Sequence, residues 1–190
     1  MTAIKTGSIK KALKAHSKET GLKPFTTQIQ YKNNYYEYTN TSVLIRFDSK
    51  VFNSKENIKL FTDIDCKVFP STDQLFLKFS DDKNKIFNTR QLLNDIRDIE
   101  KTPKATKKET KKHRILDFRF NNQEFTTYHD TTLPDCVRVD SYHLKTVIRI
   151  FSLLQSDNIV MTYNEKHPYR PITIKSELAT AIIAPIRYLK

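Results

Sequence analysis

The sequence predicts an α+β fold of antiparallel β-sheets with a few amphipathic helices, on three observations. Near the end of the chain Leu144, Val147, Ile148, Phe151 and Leu154 repeat at helical spacing and form one apolar stripe. Three short runs follow, at residues 158–163, 171–175 and 180–186, each bounded by polar or Pro-containing turns as strands are. The same order of a helix and then strands recurs upstream. Helices are expected over about 8–18, 89–101 and 141–155, with little identity between the copies, so architecture recurs and not sequence.

In chain order, residues 8–18 (SIKKALKAHSK) read as a helix capped by Ser8, with Ile9, Ala12, Leu13 and His16 on its inner face. Lys10, Lys11, Lys14 and Lys18 share the other side, either as an ordinary solvated face or as one that tracks phosphates. Gly21 ends the helix and Pro24 prevents its continuation. Residues 25–31 and 35–39 alternate about Lys32-Asn33-Asn34, a hairpin signal, and 42–48 supply a third strand. Tyr31, Tyr35, Tyr36 and Tyr38 could stack on bases, although cross-strand pairing is the commoner reason for such a cluster.

Further strands are expected within 58–69 and at 75–79. Asn88, with Gln91 three residues on, has the spacing of a capping box for the second helix. That helix carries Leu92, Leu93, Ile96 and Ile99 on one side, with Arg90, Arg97 and Lys101 around them. Residues 101–114 (KTPKATKKETKKHR) hold seven Lys or Arg against one Glu and no apolar period, so they read as a loop. Lys107, Lys108, Lys111 and Lys112 in it either stay solvated or touch nucleic acid. Strands are expected at 113–120 and near 124–128, and Asp140 or Ser141 caps the third helix.

Composition narrows the function. A net charge of +12 points to a polyanionic partner, nucleic acid first and an anionic membrane surface second. With only Gly7 and Gly21 in the chain, no phosphate-cradling P-loop, dinucleotide fingerprint or kinase glycine loop can be written. Cys66 and Cys136 read as reduced thiols, and no signal-peptide or bilayer-spanning stretch is apparent. The expectation is a cytoplasmic protein without membrane attachment or cofactor.

The final stretch resembles the end of a bacterial DNA polymerase sliding clamp, the β-subunit or processivity-clamp family. The residues that carry the likeness are Val137, Val139, Tyr142, Leu144, Val147 and Ile148, then Pro185, Ile186, Arg187 and Tyr188. Residues 13–41 are similar to the first helix and hairpin of a clamp domain. The resemblance implies a DNA-clamp-like fold, with 1–74 as a partial or first clamp-like domain. Residues 75–190 would then be a second one, with a basic insertion at 101–114. The chain is shorter than a three-domain clamp subunit, and Thr39-Asn40-Thr41-Ser42 stands about where the family has a Thr-Asp-Gly-His-Arg-type turn. A short, divergent member of the kind a phage or mobile element encodes fits best.

The resemblance further implies a replication accessory protein with no catalytic residues and no metal, working as a homo-oligomer. It would hold DNA through phosphate contacts from Lys10, Lys11, Lys14, Lys18, Arg90, Arg97, Lys145 and Arg149, joined by Lys107, Lys108, Lys111 and Lys112. A polymerase or other replication protein would place a short peptide beside Ala184, Pro185, Ile186, Arg187 and Tyr188, which otherwise simply finish a sheet. Two alternatives stand. One is a metal-dependent nuclease built from Asp63, Asp65, Asp117, Glu124, Asp130 and Asp135, although the restriction-nuclease triplet and metal-binding His spacings are missing. Cys136 with His129 or His143 has no supporting motif as a nucleophile pair. The other is a simple basic nucleic-acid-binding module using the 101–114 arm.

Overall fold

The computed structural model describes residues 4–62, 64, 66, 68–76, 82–102, 110, 112–119, 124–127, 136–164, 167 and 169–186. Among them no helix is long and apolar enough to cross a membrane.

The first helix, α1 (Thr6–Glu19), begins before Ser8. The amides of Ser8 and Ile9 both bond the Lys5 carbonyl, so Lys5 occupies the cap position and Ser8 lies inside the first turn. The backbone has satisfied the donors that a serine cap would have served. At the other end the Thr20 amide and hydroxyl both close on the His16 carbonyl, and Gly21 follows at φ +87°. That left-handed conformation is one glycine adopts without steric cost. Ile9, Leu13, His16 and Ser17 are buried, which adds Ser17 to the expected inner face.

Residues 25–27 do not extend the first strand. Pro24–Thr27 form a 3-10 turn in which the Thr26 and Thr27 hydroxyls donate to the carbonyls of Lys23 and Pro24. Strands β1 (Gln28–Lys32) and β2 (Tyr35–Thr39) then pair antiparallel, and β3 (Val43–Asp48) pairs with β2. Asn33 and Asn34 take φ of +49° and +65°, the two left-handed residues that match a tight hairpin to the twist of its strands. Tyr36 and Tyr38 are fully buried, and Tyr36 packs 4.9 Å from Tyr31 and 5.0 Å from Phe52. Tyr36 and Tyr38 therefore belong to the core and not to a base-stacking surface.

Among the described residues after β3, the strand before Asp73 is β4 (Ile58–Lys59), which pairs with β1. Of the strand expected at 75–79, residues 77–79 lie outside the described residues, and 75–76 belong to a 3-10 turn, Asp73–Phe76. Side chains fix that turn. Asp73 accepts from Lys32 (2.8 Å), Tyr35 (3.0 Å) and Arg46 (2.8 Å), while Thr72 donates to the buried Glu37 carboxylate. The Arg46 guanidinium lies between the rings of Tyr35 and Phe76, each at 4.0 Å.

Strand β5 (Lys83–Asn88) leads into α2 (Thr89–Lys101). The Asn88 side chain accepts from the Gln91 amide as expected. The Gln91 side chain donates to Asp95 instead of returning to Asn88, so half of the capping box is replaced by a bond within the helix. Arg114, at the end of the basic run, is buried and donates to the Thr102 carbonyl at the C-terminus of α2. Strands β6 (Ile115–Arg119), β7 (Glu124–Thr127) and β8 (Cys136–Asp140) follow. Asp140 caps α3 (Ser141–Leu153) by accepting from the Tyr142 amide. The chain then runs through β9 (Asn158–Tyr163), β10 (Ile172–Lys175) and β11 (Ala179–Ile183).

The described strands form two antiparallel sheets. One has the order β4-β1-β2-β3-β11-β10-β9-β5 and the other β7-β6-β8. Val43 opposite Ile183 and Phe47 opposite Ala179 join strands from either side of residue 74 in one sheet. The helix-bearing units also exchange strands. β5 precedes α2 yet pairs with β9, which follows α3; β8 precedes α3 yet pairs with β6, which follows α2. The apolar sides of all three helices meet the sheets in a single core, which includes Leu13, Tyr38, Phe47, Leu92, Ile148, Phe151 and Ile174. Each such side chain stabilises the fold by about 1.5–3 kcal/mol relative to exposure.

The two glycines separate backbone effects cleanly, because a Cβ at either one meets nothing within 4 Å. Gly21→Ala is expected to lower stability by about 1 kcal/mol through left-handed strain. Gly7→Ala, inside α1, is expected to raise it by about 0.5 kcal/mol. Urea unfolding of the two variants measures both signs.

Candidate nucleic-acid interface

The helices lie side by side with α3 in the middle, in contact with both α1 and α2. Their apolar sides are committed to the core, so the opposite side is a polar layer whose charge is set helix by helix. On α1 the expected lysines Lys10, Lys11, Lys14 and Lys18 are all exposed, on the side away from Ile9 and Leu13. The Lys14 ammonium sits 4.9 Å over the Phe61 ring. With Glu19 as its one acidic residue, α1 is strongly cationic.

Helix α2 differs. Arg90 and Arg97 are exposed, but Arg90, Arg97 and Lys101 are balanced on the same helix by Asp95, Asp98 and Glu100. Lys101 is paired with Asp98 at 2.7 Å. On α3, Lys145 is bound to the Glu100 carboxylate of α2, whereas Arg149 projects into solvent. The two basic residues of α3 therefore have different work: one clamps two helices together and the other is presented outward.

Lys112 brings a further element to this surface, its ammonium 2.7 Å from Glu19 of α1. A cleft of about 300 Å³ runs where these parts meet, with Ala12 and Ala15 of α1 on one side and Lys145, Arg149 and Glu100 with Lys112 around it. Lys107, Lys108 and Lys111 lie outside the described residues. The structure thus brings Lys112, Lys145 and Arg149 together around one cleft, places the α1 lysines on the neighbouring helix, and leaves Arg90 and Arg97 in a neutral setting.

The tail residues take a different place. The Ala184 amide bonds the Ser42 carbonyl and the Ile186 amide bonds the Arg138 carbonyl, both at 2.8 Å, so the chain after β11 ties the large sheet to the small one. Ala184 is exposed, Pro185 and Ile186 are half-buried, and Arg187 and Tyr188 lie outside the described residues.

One cluster was not foreseen beyond the packing of His16. His16 from α1, His143 from α3 and His113 ahead of β6 converge where the helices meet. His16 Nε2 is 3.0 Å from His143 Nδ1, and its Nδ1 is 3.0 Å from the Tyr38 hydroxyl. His113 Nδ1 is 2.8 Å from the Asp140 carboxylate. Burial, reinforced by His143 and His113, pushes His16 down to about 3. Burial also lowers His143, against the opposing pull of Asp140. The sequence signal was a histidine on an apolar stripe; its partner is 127 positions away.

Among the described residues no group of three or more His, Cys, Asp or Glu is arranged to hold a metal ion. Asp117 is buried with its carboxylate 3.2 Å from Arg138, a cation partner in place of a metal. Asp63, Asp65, Asp130, Asp135 and His129, and the side chains of Glu124 and Cys136, lie outside the described residues.

No protein-family model matches the sequence, and no curated protein sequence matches it. Solved structures do. The β subunit of DNA polymerase from Streptococcus pyogenes is similar at a TM-score of 0.59 and 14% identity, over 96% of this chain and 64% of that one. The DNA polymerase sliding clamp of Bacillus subtilis gives a TM-score of 0.59 and 13% identity, over 98% and 64%. The Helicobacter pylori β clamp bound to a DNA ligase peptide gives 0.58 and 11%, over 98% and 64%. The fold is therefore that of the bacterial sliding clamps, and the chain spans just under two thirds of the length of these neighbours.

The unlike roles of the two α3 cations can be checked by stability alone. Lys145→Ala, which strands the half-buried Glu100, is expected to cost about 1 kcal/mol in urea unfolding. Arg149→Ala is expected to stay within about 0.5 kcal/mol of the parent protein.

Proposed function

We propose that this protein is a clamp-like accessory factor of DNA replication that holds duplex DNA without covalent chemistry. The observation that carries this reading is the exposed cationic layer of α1 and α3 on a sliding-clamp fold. Lys10, Lys11, Lys14, Lys18 and Arg149 contact phosphates, with Lys112 and Lys145 reinforcing the field around the cleft and Arg90 and Arg97 contributing less because α2 is neutral. Phosphate contacts of this kind carry no base information, which is what movement along DNA requires. Lys107, Lys108 and Lys111 of the basic run are read as further DNA contacts.

We read 75–190 as one clamp-like domain and 1–74 as part of another. The strand exchange of β5 and β8 supports the first, since it makes α2 and α3 with their strands one interlocked unit. A ring of several copies, working in the cytoplasm, would enclose DNA. A short peptide from a polymerase or other replication protein would dock beside Ala184, Pro185, Ile186, Arg187 and Tyr188.

Light scattering at several protein concentrations, with nicked circular and linear DNA, tests the reading. A discrete oligomer retained on circles and lost when they are linearised is expected. A monomer that binds both forms alike would reduce the protein to a simple basic module, and cleavage of either form with Mg²⁺ would make it a nuclease. Replacing Lys10, Lys11, Lys14 and Lys18 with Glu is expected to weaken DNA binding more than tenfold at low salt without unfolding the protein. If all four touch phosphates, the slope of log affinity against log salt should fall by about 3 to 4 in a polarisation titration.

A further inference from the structure

We propose that the histidine junction between α1 and α3 is a pH-dependent lock, in which two uncharged imidazoles hold α1 in place at neutral pH and acidification loosens it. The lock concerns α1 itself and does not depend on DNA binding.

Hydrogen-bond direction can be followed through the cluster. The Ser17 hydroxyl lies 2.7 Å from the Thr26 carbonyl and 3.1 Å from that of Leu13, both pure acceptors, so its proton goes to a carbonyl. Its oxygen is then free to accept from the Tyr38 hydroxyl at 3.0 Å. The Tyr38 oxygen in turn accepts from His16 Nδ1–H, which leaves His16 Nε2 as acceptor for His143 Nδ1–H. The chain from Ser17 to His143 is satisfied with both rings neutral. A proton added to His16 turns Nε2 from acceptor into donor, so the contact with His143 survives only if His143 gives up its Nδ1–H tautomer. The new charge also sits on a ring with 0% exposure.

The groups facing the pair do not compensate for that charge. From α3, Tyr142 stacks on His16 at 5.4 Å between ring centroids. From the end of β2, the Asn40 amide nitrogen is 3.4 Å from both His16 nitrogens and can only donate. Among the described residues, the two carboxylates nearest the pair are already engaged. Glu19 is held by Lys112 at 2.7 Å and lies 3.7 Å from His113, and Asp140 accepts from His113 at 2.8 Å.

The direction of the effect follows from linkage. A histidine lowered by folding contributes its stability above its ordinary value near 6.5, and that stability is lost as pH falls toward the folded value. With His16 at about 3 in the closed state and an ordinary value when open, the opening constant of α1 rises about 25-fold from pH 7 to pH 5. His143, lowered in the same direction, adds to this. Ile9 and Leu13 still anchor the helix, so the response is more frequent opening and not permanent detachment.

Hydrogen exchange of the full chain, corrected for the intrinsic pH dependence of exchange, tests the lock without DNA. Amides of α1 are expected to lose at least 20-fold protection between pH 7 and 5 relative to β9–β11, and His16→Gln and His143→Gln are expected to reduce that pH dependence. Equal loss in α1 and the sheet would mean global acid unfolding and overturn the proposal. So would unchanged α1 protection, or the full loss persisting in a folded His16→Gln variant. Should neither variant fold, an NMR titration of the parent protein decides: a His16 ring signal titrating near 6.5 overturns the lock, and one unprotonated down to pH 5 supports it.

Discussion

Helix α3 buries seven of its thirteen residues, and that can happen only if it is enclosed on several sides. The sheets take its apolar side through Val147, Ile148 and Phe151, while α1 and α2 flank it. The other helices are organised by this demand. Each gives an apolar stripe to the core and a polar contact to α3: His16 from α1 to His143, and Glu100 from α2 to Lys145. What remains of α1 and α2 is free to be charged, which is how a chain of modest hydrophobic content supports both a continuous core and a cationic surface.

The charge on that surface is unevenly spread. The lysines of α1 stand opposite its buried residues, but the charges of α2 cancel within one helix. Where basic residues approach the cleft, two of them are already bound to carboxylates. A surface read from the count of Lys and Arg would look uniform; the paired structure makes it directional, strongest along α1 and at Arg149.

Local physics was legible in the sequence and long-range pairing was not. The three helices, the Asn33-Asn34 hairpin and the caps at Asn88 and Asp140 follow from spacing, backbone preference and short side chains acting within a few residues. Ser8 failed as a cap because backbone carbonyls one turn earlier had already closed the helix. Residues 75–76 failed as a strand because Asp73 is gripped by Lys32, Tyr35 and Arg46 from another part of the chain. The candidate interface divides likewise. Periodicity alone placed the lysines of α1 together, but nothing local reveals that Lys145 is bound to Glu100 or that His16 meets His143.

The pairing of β3 with β11 sets the order in which the protein can be made. β3 ends at Asp48 and β11 begins at Ala179. At about 5–20 residues per second, a ribosome needs roughly seven to twenty-six seconds between them. Throughout that interval the hairpin strands lack the neighbour that completes their sheet, and the outer edge of β3 offers unpaired amides and carbonyls to any passing strand. Non-local closure of this kind slows folding. The newborn chain is thus most vulnerable to misassembly late in synthesis, when most of its core residues exist but the strand that seals them does not.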